Sequence, residues 1–488
     1  MNSTRTRIFT TLLAAFLIAG SHSSAAAVAA SGSGTFRQRL IVLTDIEADP
    51  DDTQSLIRLL LYANEIDIES LIATTSTWKR TSIAPDSIRE VLRAYQEAHA
   101  NLLKHDARYP SADKLEALVS QGRPDYGMEG VGPGNDTEGS ALIIRRLEAN
   151  DPRPLWISVW GGANTLAQSL HTLRATRSPA ELKRLVARLR VYTISDQDDS
   201  GPWLRKNFPD LFYIATPGGD YGAATWTGIN SVVDGIDNTT ISNAWLAQHI
   251  QQGHGPLGAL YPDVAWGVEG DTPAFLSLIP NGLNEPEHPD WGGWGGRYEL
   301  QLPAAPARPL GEVVNGIPVS VETRPLWTNA YDTYAPPVRG EYGRSMKLNP
   351  APKRDFKATL WRWRDDFQND FAARMDWTVK SFAEANHPPV VALEHADRMR
   401  VRSGQGFGLS AATSSDPDGD SLSFYWFHYP EAGTYRGEVG IGAENARGIW
   451  VTAPKVTKSE TLHFIVQVTD KGSPPLTRYR RVVVTVDP

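Results

Sequence analysis

LIVLTDIEADPDDTQSLIRLLLY, from Leu40 to Tyr62, decides how the rest of this chain is read. An apolar run, Leu40–Leu43, ends in five carboxylates, Asp45, Glu47, Asp49, Asp51 and Asp52, which lead through Pro50 into an amphipathic helix from Ser55 to Asn64. Like charges at this density repel and raise one another's pKa values unless something positive sits among them. A hard divalent cation with oxygen ligands meets that need most simply. The alternative is a solvated acidic turn, which fits less well between a buried strand and a helix start.

Outward from this stretch, short apolar runs alternate with helical patterns. Strands are expected at Ile68–Thr75, Leu155–Val159 and Val191–Ile194, with a helix over Ile83–Leu103 and another from Asn164 to Leu170. This alternation predicts an α/β domain, a mostly parallel sheet covered by helices. Ligands of such sheets bind beyond the carboxyl ends of the strands, so the loops there are the ones to read. They are the acidic run; Thr74-Thr75-Ser76-Thr77-Trp78; Trp160-Gly161-Gly162-Ala163-Asn164; and Ser195-Asp196-Gln197-Asp198-Asp199. The Gly161-Gly162 pair reads either as a turn into a helix or as a place where backbone approaches a ligand and can aim a carbonyl at it. Asp196, Asp198 and Asp199 read as a solvated loop or cap, or as part of a site. Asp271, ahead of an apolar helix over Ala274–Ile279, reads as an N-cap or as a ligand that converges with the first acidic run.

Asp290-Trp291-Gly292-Gly293-Trp294-Gly295-Gly296 carries two indoles on a glycine-rich loop. Trp291 and Trp294 are read as sugar-stacking surfaces or as a packed lid. Residues 301–385 are expected to be an extension packed on the first domain, with Trp361, Trp363 and Trp377 mostly core. After Asn386-His387-Pro388-Pro389 the pattern changes to alternating strands, Phe407–Ala411, Ser421–Trp426, Leu462–Val468 and Tyr479–Val486, which predict an antiparallel β-sandwich over 386–488 with Trp426 in its core. The turn Asp416-Pro417-Asp418-Gly419-Asp420 reads as turn chemistry before it reads as a calcium loop.

Composition bounds the function. A net charge of −8 with no basic patch argues against nucleic acid. The chain contains no cysteine, which excludes disulfides, thiolate catalysis and a lipoprotein anchor. Arg5 and Arg7, the apolar run Ile8–Ile18 and Ala25-Ala26-Ala27 predict a signal peptide over residues 1–30, hence a secreted or periplasmic protein with no membrane partner after cleavage.

These residues carry a resemblance. The Asp-rich run between first strand and first helix, Thr74-Thr75, and Gly161-Gly162-Ala163-Asn164-Thr165 resemble segments of the calcium-dependent nucleoside hydrolases. The whole chain, with Ser195–Trp203 and Asp290–Tyr298, resembles more closely a secreted bacterial family whose first domain is nucleoside-hydrolase-like, here 36–300, and whose last is an Ig-like domain labelled cellulose-binding. The resemblance implies calcium (Ca2+) held by Asp45, Asp52, the carbonyl of Trp160 and Asp271, with Asp51 on sugar hydroxyls. It implies a catalytic base at Asp45, or at Glu47 if the segments are matched without a gap. Asn164, Asp196, Asp198 and Asp199 join Trp291 and Trp294 as candidate substrate contacts, and one of Asp196, Asp198 or Asp199 is a candidate leaving-group acid if burial raises its pKa, with no spacing to choose among them. Two departures bear on the leaving group: Gly270 stands where the nucleoside hydrolases have a histidine, and the asparagine expected after Thr74-Thr75 is missing.

The expected function is a calcium-dependent hydrolase of glycosidic or N-glycosidic bonds in a carbohydrate-derived substrate. The rival is a plant-polysaccharide (cellulose) binding protein whose hydrolase domain no longer cleaves.

Overall fold

The run that opens the sequence forms the centre of the larger sheet. In the computed structural model, residues 37–488 are described except 235, 336–338, 341–342 and 345–350. The expected signal peptide lies outside the described residues. Strand β1, Gln38–Thr44, has its apolar residues buried. It is flanked in parallel by β2, Ile66–Ala73, on one side; the other parallel neighbour, Leu155–Val159, follows β3, Val119–Gln121, in the chain and is β4. The sheet continues with β5, Leu189–Thr193, β6, Phe212–Ile214, β7, Tyr298–Gln301, and β8, Leu326–Asn329, in the spatial order β3-β2-β1-β4-β5-β6-β8-β7. All pairings are parallel except β8 with β7. Chain order runs outward in opposite directions from β1 and β4, so their boundary is a topological switch point, where open α/β sheets place ligands.

Two apolar cores cover the faces of this sheet. Leu40, Val42 and Leu71 join the side packed by the helices Asp51–Leu61 and Pro85–His105, while Ile41, Leu43 and Ile157 join the side packed by Asn164–Thr176. Alternate residues of one strand thus enter opposite cores, as the period of two requires.

The extension after residue 300 is more than a packed appendage. Leu326–Asn329 inserts between β6 and β7, pairing in parallel with the first and antiparallel with the second. Four residues behind Pro325 are too few to show a period, so the boundary expected near residue 300 cuts through the sheet. Trp361, Trp363 and Trp377 are buried, as expected, around the helix Arg364–Asp376.

The C-terminal region is a sandwich of two sheets. One contains β9, Arg398–Arg402; the other begins with β10, Gly406–Ser410. The remaining strands are β11, Ser423–His428, β12, Ile441–Gly442, β13, Gly448–Thr452, β14, Glu460–Thr469, and β15, Thr477–Asp487. The sheet orders are β9-β15-β14-β11 and β10-β13-β12. One pairing, β9 with β15, is parallel, so the sandwich is not wholly antiparallel. Trp426 is fully buried between the sheets. In the acidic turn, Asp416 Oδ1 accepts the backbone N–H groups of Asp418 and Asp420, an Asx-type turn. Tyr429, Ile465 and Tyr479 leave the sandwich core and join the core of the first domain. No helix among the described residues is long and apolar enough to cross a membrane.

Candidate metal centre

Thr44 is the last residue of β1, and hydrogen bonds turn the chain sharply just beyond it. The Thr44 hydroxyl donates to Asp52 Oδ1 and accepts the Ile46 N–H at 3.1 Å. Ala48 N–H closes a turn on Asp45 O at 3.0 Å, and Asp49 Oδ1 receives the N–H of Asp51 at 3.0 Å. The first helix then starts at Asp51 and Asp52, where its unpaired N–H groups favour negative charge. The result folds Asp45, Asp49, Asp51 and Asp52 onto one cavity, together with Trp160, Ile194, Ser195, Gln197 and Asp271. These residues follow the carboxyl ends of β1, β4 and β5, with Asp271 coming from a distant loop. The site sits at the switch point.

The cavity measures about 60 Å³, well under the roughly 300–1,000 Å³ of small-molecule pockets. It is sized for an ion with a water or two. Carboxylate oxygens of Asp49, Asp51 and Asp52 lie within 4.8 Å of one another. Burial pushes Asp45 up to about 6, and burial together with the neighbouring carboxylates pushes Asp51, Asp52 and Asp271 well above the usual carboxylate range. Asp271 Oδ2 and Gln197 Oε1 are buried and have no hydrogen-bond partner among the described residues. The Trp160 carbonyl accepts a hydrogen bond from Gln197 Nε2 and keeps a second lone pair. Hard oxygen donors, mutual repulsion and an unsatisfied buried carboxylate oxygen fit a divalent cation such as calcium.

Bare backbone makes this crowding achievable. A Cβ on Gly161 would lie 2.6 Å from Asp45 Oδ1 and 2.8 Å from Asp45 Cβ. A Cβ on Gly270 would lie 2.4 Å from Asp51 Oδ2. Gly270, in place of the expected histidine, is therefore what lets Asp51 close on the loop of Asp271. That loop is clamped from behind: Arg58, buried, pairs with Glu269 and stacks 4.0 Å over Phe371, while Tyr261 and Thr272 donate to Glu269 at 2.7 Å. Because Asp45 Cβ sits close to its backbone and cannot swing clear, Gly161→Ala should displace that carboxylate. We expect about 1–3 kcal/mol of destabilisation and a weakened calcium response, measured by melting with and without calcium.

Several expected site residues lie elsewhere. Glu47, at φ 82°, turns outward to Lys79 and to Ser87, so the register that made it the catalytic base is not the one the fold places at the cavity. Trp294 is fully buried, its indole donating to Tyr479 OH at 3.3 Å, because the glycine-rich loop is packed under the sandwich. Trp291 stacks on His288 at 4.1 Å and meets His463 edge-on. Neither indole offers a sugar platform at the cavity; the packed-lid reading is the one observed. Asp196 is held by Arg205 at 2.8 Å on both oxygens. Asp199 receives Met128 N–H at 2.8 Å, and Asp198 receives the Ser200 N–H at 3.0 Å. Asn164 bonds Thr74, Thr75 and Asp125 O, a layer beneath the cavity. These four polar side chains brace the loops and do not face the cavity.

The aromatic wall comes instead from Trp78, Tyr221 and Trp226, which line the same cavity. Trp78 Nε1 donates to Tyr221 OH at 3.1 Å, and Tyr221 meets Trp226 edge-on at 6.4 Å. Trp78 is 55% exposed. An indole in a loop at the carboxyl end of a parallel strand was the signal available for it, whereas Tyr221 and Trp226 sit on short turns with no periodicity.

Comparison with known proteins agrees with this architecture. A family model described as the nucleoside hydrolase-like domain of cellulose-binding Sde182 matches residues 39–298, and one described as the C-terminal domain of cellulose-binding protein Sde0182 matches 406–486. No curated protein matches the chain. Among solved structures, a nucleoside hydrolase-related protein from Saccharophagus degradans, described as associated with carbohydrate metabolism, is 36% identical. The overlay covers 93% of this chain and 100% of that one at a TM-score of 0.76. The effector XOO4466 and the type III effector XopQ, the latter complexed with adenosine diphosphate ribose, are 14% and 15% identical. Each overlay covers 51% of this chain and 82% of the effector, and TM-scores of 0.26 and 0.27 are too low to carry detail. Matched across its sheet domain and its sandwich, and over nearly its full length by a relative above one-third identity, the chain belongs to the cellulose-binding Sde182 family with a nucleoside hydrolase-like domain.

Proposed function

We propose that this protein is an exported calcium-dependent hydrolase of glycosidic or N-glycosidic bonds in a carbohydrate-derived substrate. The observation that carries this reading is the convergence of Asp45, Asp51, Asp52, Trp160 and Asp271 on one cavity at the β1/β4 switch point. Asp49, Asp51 and Asp52, whose oxygens lie within 4.8 Å of one another, would hold the cation, with Asp45, Asp271 and the Trp160 carbonyl, the ligands the resemblance implies, drawn from the lining of the same cavity. When bound, it would supply Lewis-acid activation of water and a hold on adjacent sugar hydroxyls. In this reading Asp45 would take the proton of the attacking water and Asp51, only partly buried, would accept sugar hydroxyls at the mouth. Trp78, 55% exposed, with Tyr221 and Trp226 beside it, would offer its face to a sugar ring held outside the cavity, with only the ring's hydroxyls reaching in. The Tyr221 phenol, protonated near neutral pH at its ordinary value and raised further by burial, can donate a hydrogen bond there. Export rests on the pattern of residues 1–30.

A second reading has an observation of its own. A cavity of about 60 Å³ holds no sugar ring, and Gly270 supplies no leaving-group acid. Both favour a protein that binds polysaccharide, cellulose in particular, without cleaving it.

Purified protein assayed on nucleosides, aryl glycosides and cello-oligosaccharides, with calcium and after chelation, separates the two. Hydrolysis that needs calcium, and falls by about 10²–10⁴-fold in Asp45→Asn, supports the hydrolase. Full hydrolysis in chelator would overturn the calcium dependence. No hydrolysis of any substrate, with retained adsorption to cellulose, selects the binding protein.

A further inference from the structure

The three-stranded sheet of the sandwich has an outer face paved largely with glycine. Strands β10, β13 and β12 send Phe407, Leu409, Ile449, Val451 and Ile441 inward to the sandwich core. Alternation therefore turns Gly406, Gly408 and Ser410, Gly448, Trp450 and Thr452, and Gly442 outward. Trp450 is 65% exposed and pairs with Gly408 on one side and Gly442 on the other. It is the only large side chain among these positions, and none of them is charged.

The indole is laid over the neighbouring strand. A Cβ on Gly406 would lie 2.7 Å from its Cζ2 and 3.0 Å from its Nε1, and a Cβ on Gly408 would lie 3.6 Å from its Cε3. The ring thus spans two successive outward positions of β10, and any side chain at residue 406 would lift it. Gly442, across the ring, has nothing within 4 Å of its own Cβ position. Glycine weakens a strand interior and marks places where a ligand or another backbone comes close. Here the glycines hold one indole flat in an otherwise bare, shallow track, with the hydroxyls of Ser410 and Thr452 at its ends.

We infer that this glycine-paved face, with Trp450 as its platform, binds a neutral glycan chain whose sugar rings lie flat on the indole, as the rings of cellulose can. The face suits that occupant by charge and by shape: its outward strand residues carry no charge, the carboxylate bonded to Ser410 at one end, that of Glu394, repels an anion, and a flat track gives no groove to a helix. A second copy of this chain fits poorly. Two strands of five residues and one of two cover roughly 190 Å², against the ~800 Å² that each partner of a stable interface contributes. This placement rests on the carbohydrate-binding part of the proposed function and is independent of catalysis at the carboxylate cavity.

The test is adsorption of the full chain to microcrystalline cellulose, with sedimentation and thermal melting run on the same preparations. Trp450→Ala should lower the adsorption constant by about tenfold or more, and Trp450→Phe should keep most of it. Gly442→Gln, which leaves the indole but obstructs the track, should also lower it, and all three variants should melt with the wild type. If wild type adsorbs and both Trp450→Ala and Gly442→Gln adsorb equally well, the placement is overturned while glycan binding stands. If wild type adsorbs to no cellulose, the carbohydrate-binding reading falls and this placement with it. If Trp450→Ala changes only the sedimentation of the chain, the face is a self-association surface and the inference is wrong.

Discussion

Calcium added to chelated protein should raise its melting temperature at pH 7.5 much more than at pH 5. Without the cation, Asp45 has a pKa near 6 against an ordinary value of 3.8, because burial disfavours its charge. A carboxylate raised in the folded state contributes stability that is complete below the ordinary value and lost as pH climbs through the folded one. For Asp45 alone that loss, spread between about pH 4 and 6, is on the order of 3 kcal/mol. Asp51, Asp52 and Asp271 shift in the same direction. Chelated protein is therefore expected to be more stable at pH 5 than at pH 7.5. A cation needs these carboxylates ionised, so its own contribution grows with pH, reaching ~4 kcal/mol at a thousandfold excess over Kd. Asp271→Asn gives the sharper signature. Removing an acid whose ionisation the fold disfavours should stabilise the chelated protein at pH 7.5 and at the same time shrink its response to calcium. If the variant is less stable in chelator and its calcium response is intact, Asp271 is a structural residue and not a ligand.

What the sequence disclosed and what it concealed divide along physical lines. Strands β1, β2, β4 and β5 were legible because parallel strands buried on both faces are nearly continuous apolar runs. Asp45, Asp51, Asp52, Trp160 and Asp271 reach one cavity because each ends a strand or starts a helix, a placement that local pattern reveals. Register was harder. Asp45 and Glu47 are two residues apart, and only the turn at Ala48 N–H to Asp45 O, with Glu47 in the left-handed region, sends one inward and the other to Lys79. Trp291 and Trp294 misled because a glycine-rich indole loop looks the same whether it faces a sugar or a neighbouring domain. Asp196 looked like a site residue until Arg205, nine positions later, paired with it in the core. Trp78, Tyr221 and Trp226 are brought together by contacts across some 150 residues, and no local signal encodes that.

The sandwich is joined to the sheet domain by buried charge, and breaking that joint should produce the largest loss of stability. Asp370, in the helix Arg364–Asp376, accepts Tyr62 OH at 2.7 Å and Arg374 Nε at 3.0 Å on one oxygen, and Arg478 Nη1 at 2.5 Å on the other. Tyr62 caps the helix that begins with Asp51 and Asp52, and Arg478 belongs to β15 of the sandwich. Burial alone would raise this carboxyl, yet the guanidiniums of Arg478 and Arg374 hold it down to about 2. Its contribution has the opposite sign to that of Asp45: present above the ordinary 3.8, and lost as pH falls from there through about 2. Asp370→Asn preserves shape and leaves two buried arginines short of their counter-charge, since among the described residues only Glu65 still pairs with Arg374. A buried ion pair broken from one side costs about 3–5 kcal/mol. Calorimetry at pH 7 should show that loss, and the gap to wild type should narrow as the wild-type carboxyl is protonated toward pH 2. Adding Arg478→Met to Asp370→Asn should restore part of the stability, because an apolar side chain has no charge to strand. A loss under about 1 kcal/mol, or a double variant no better than the single one, would mean that apolar packing through Ile465 and Tyr479, rather than this charge cluster, joins the two domains.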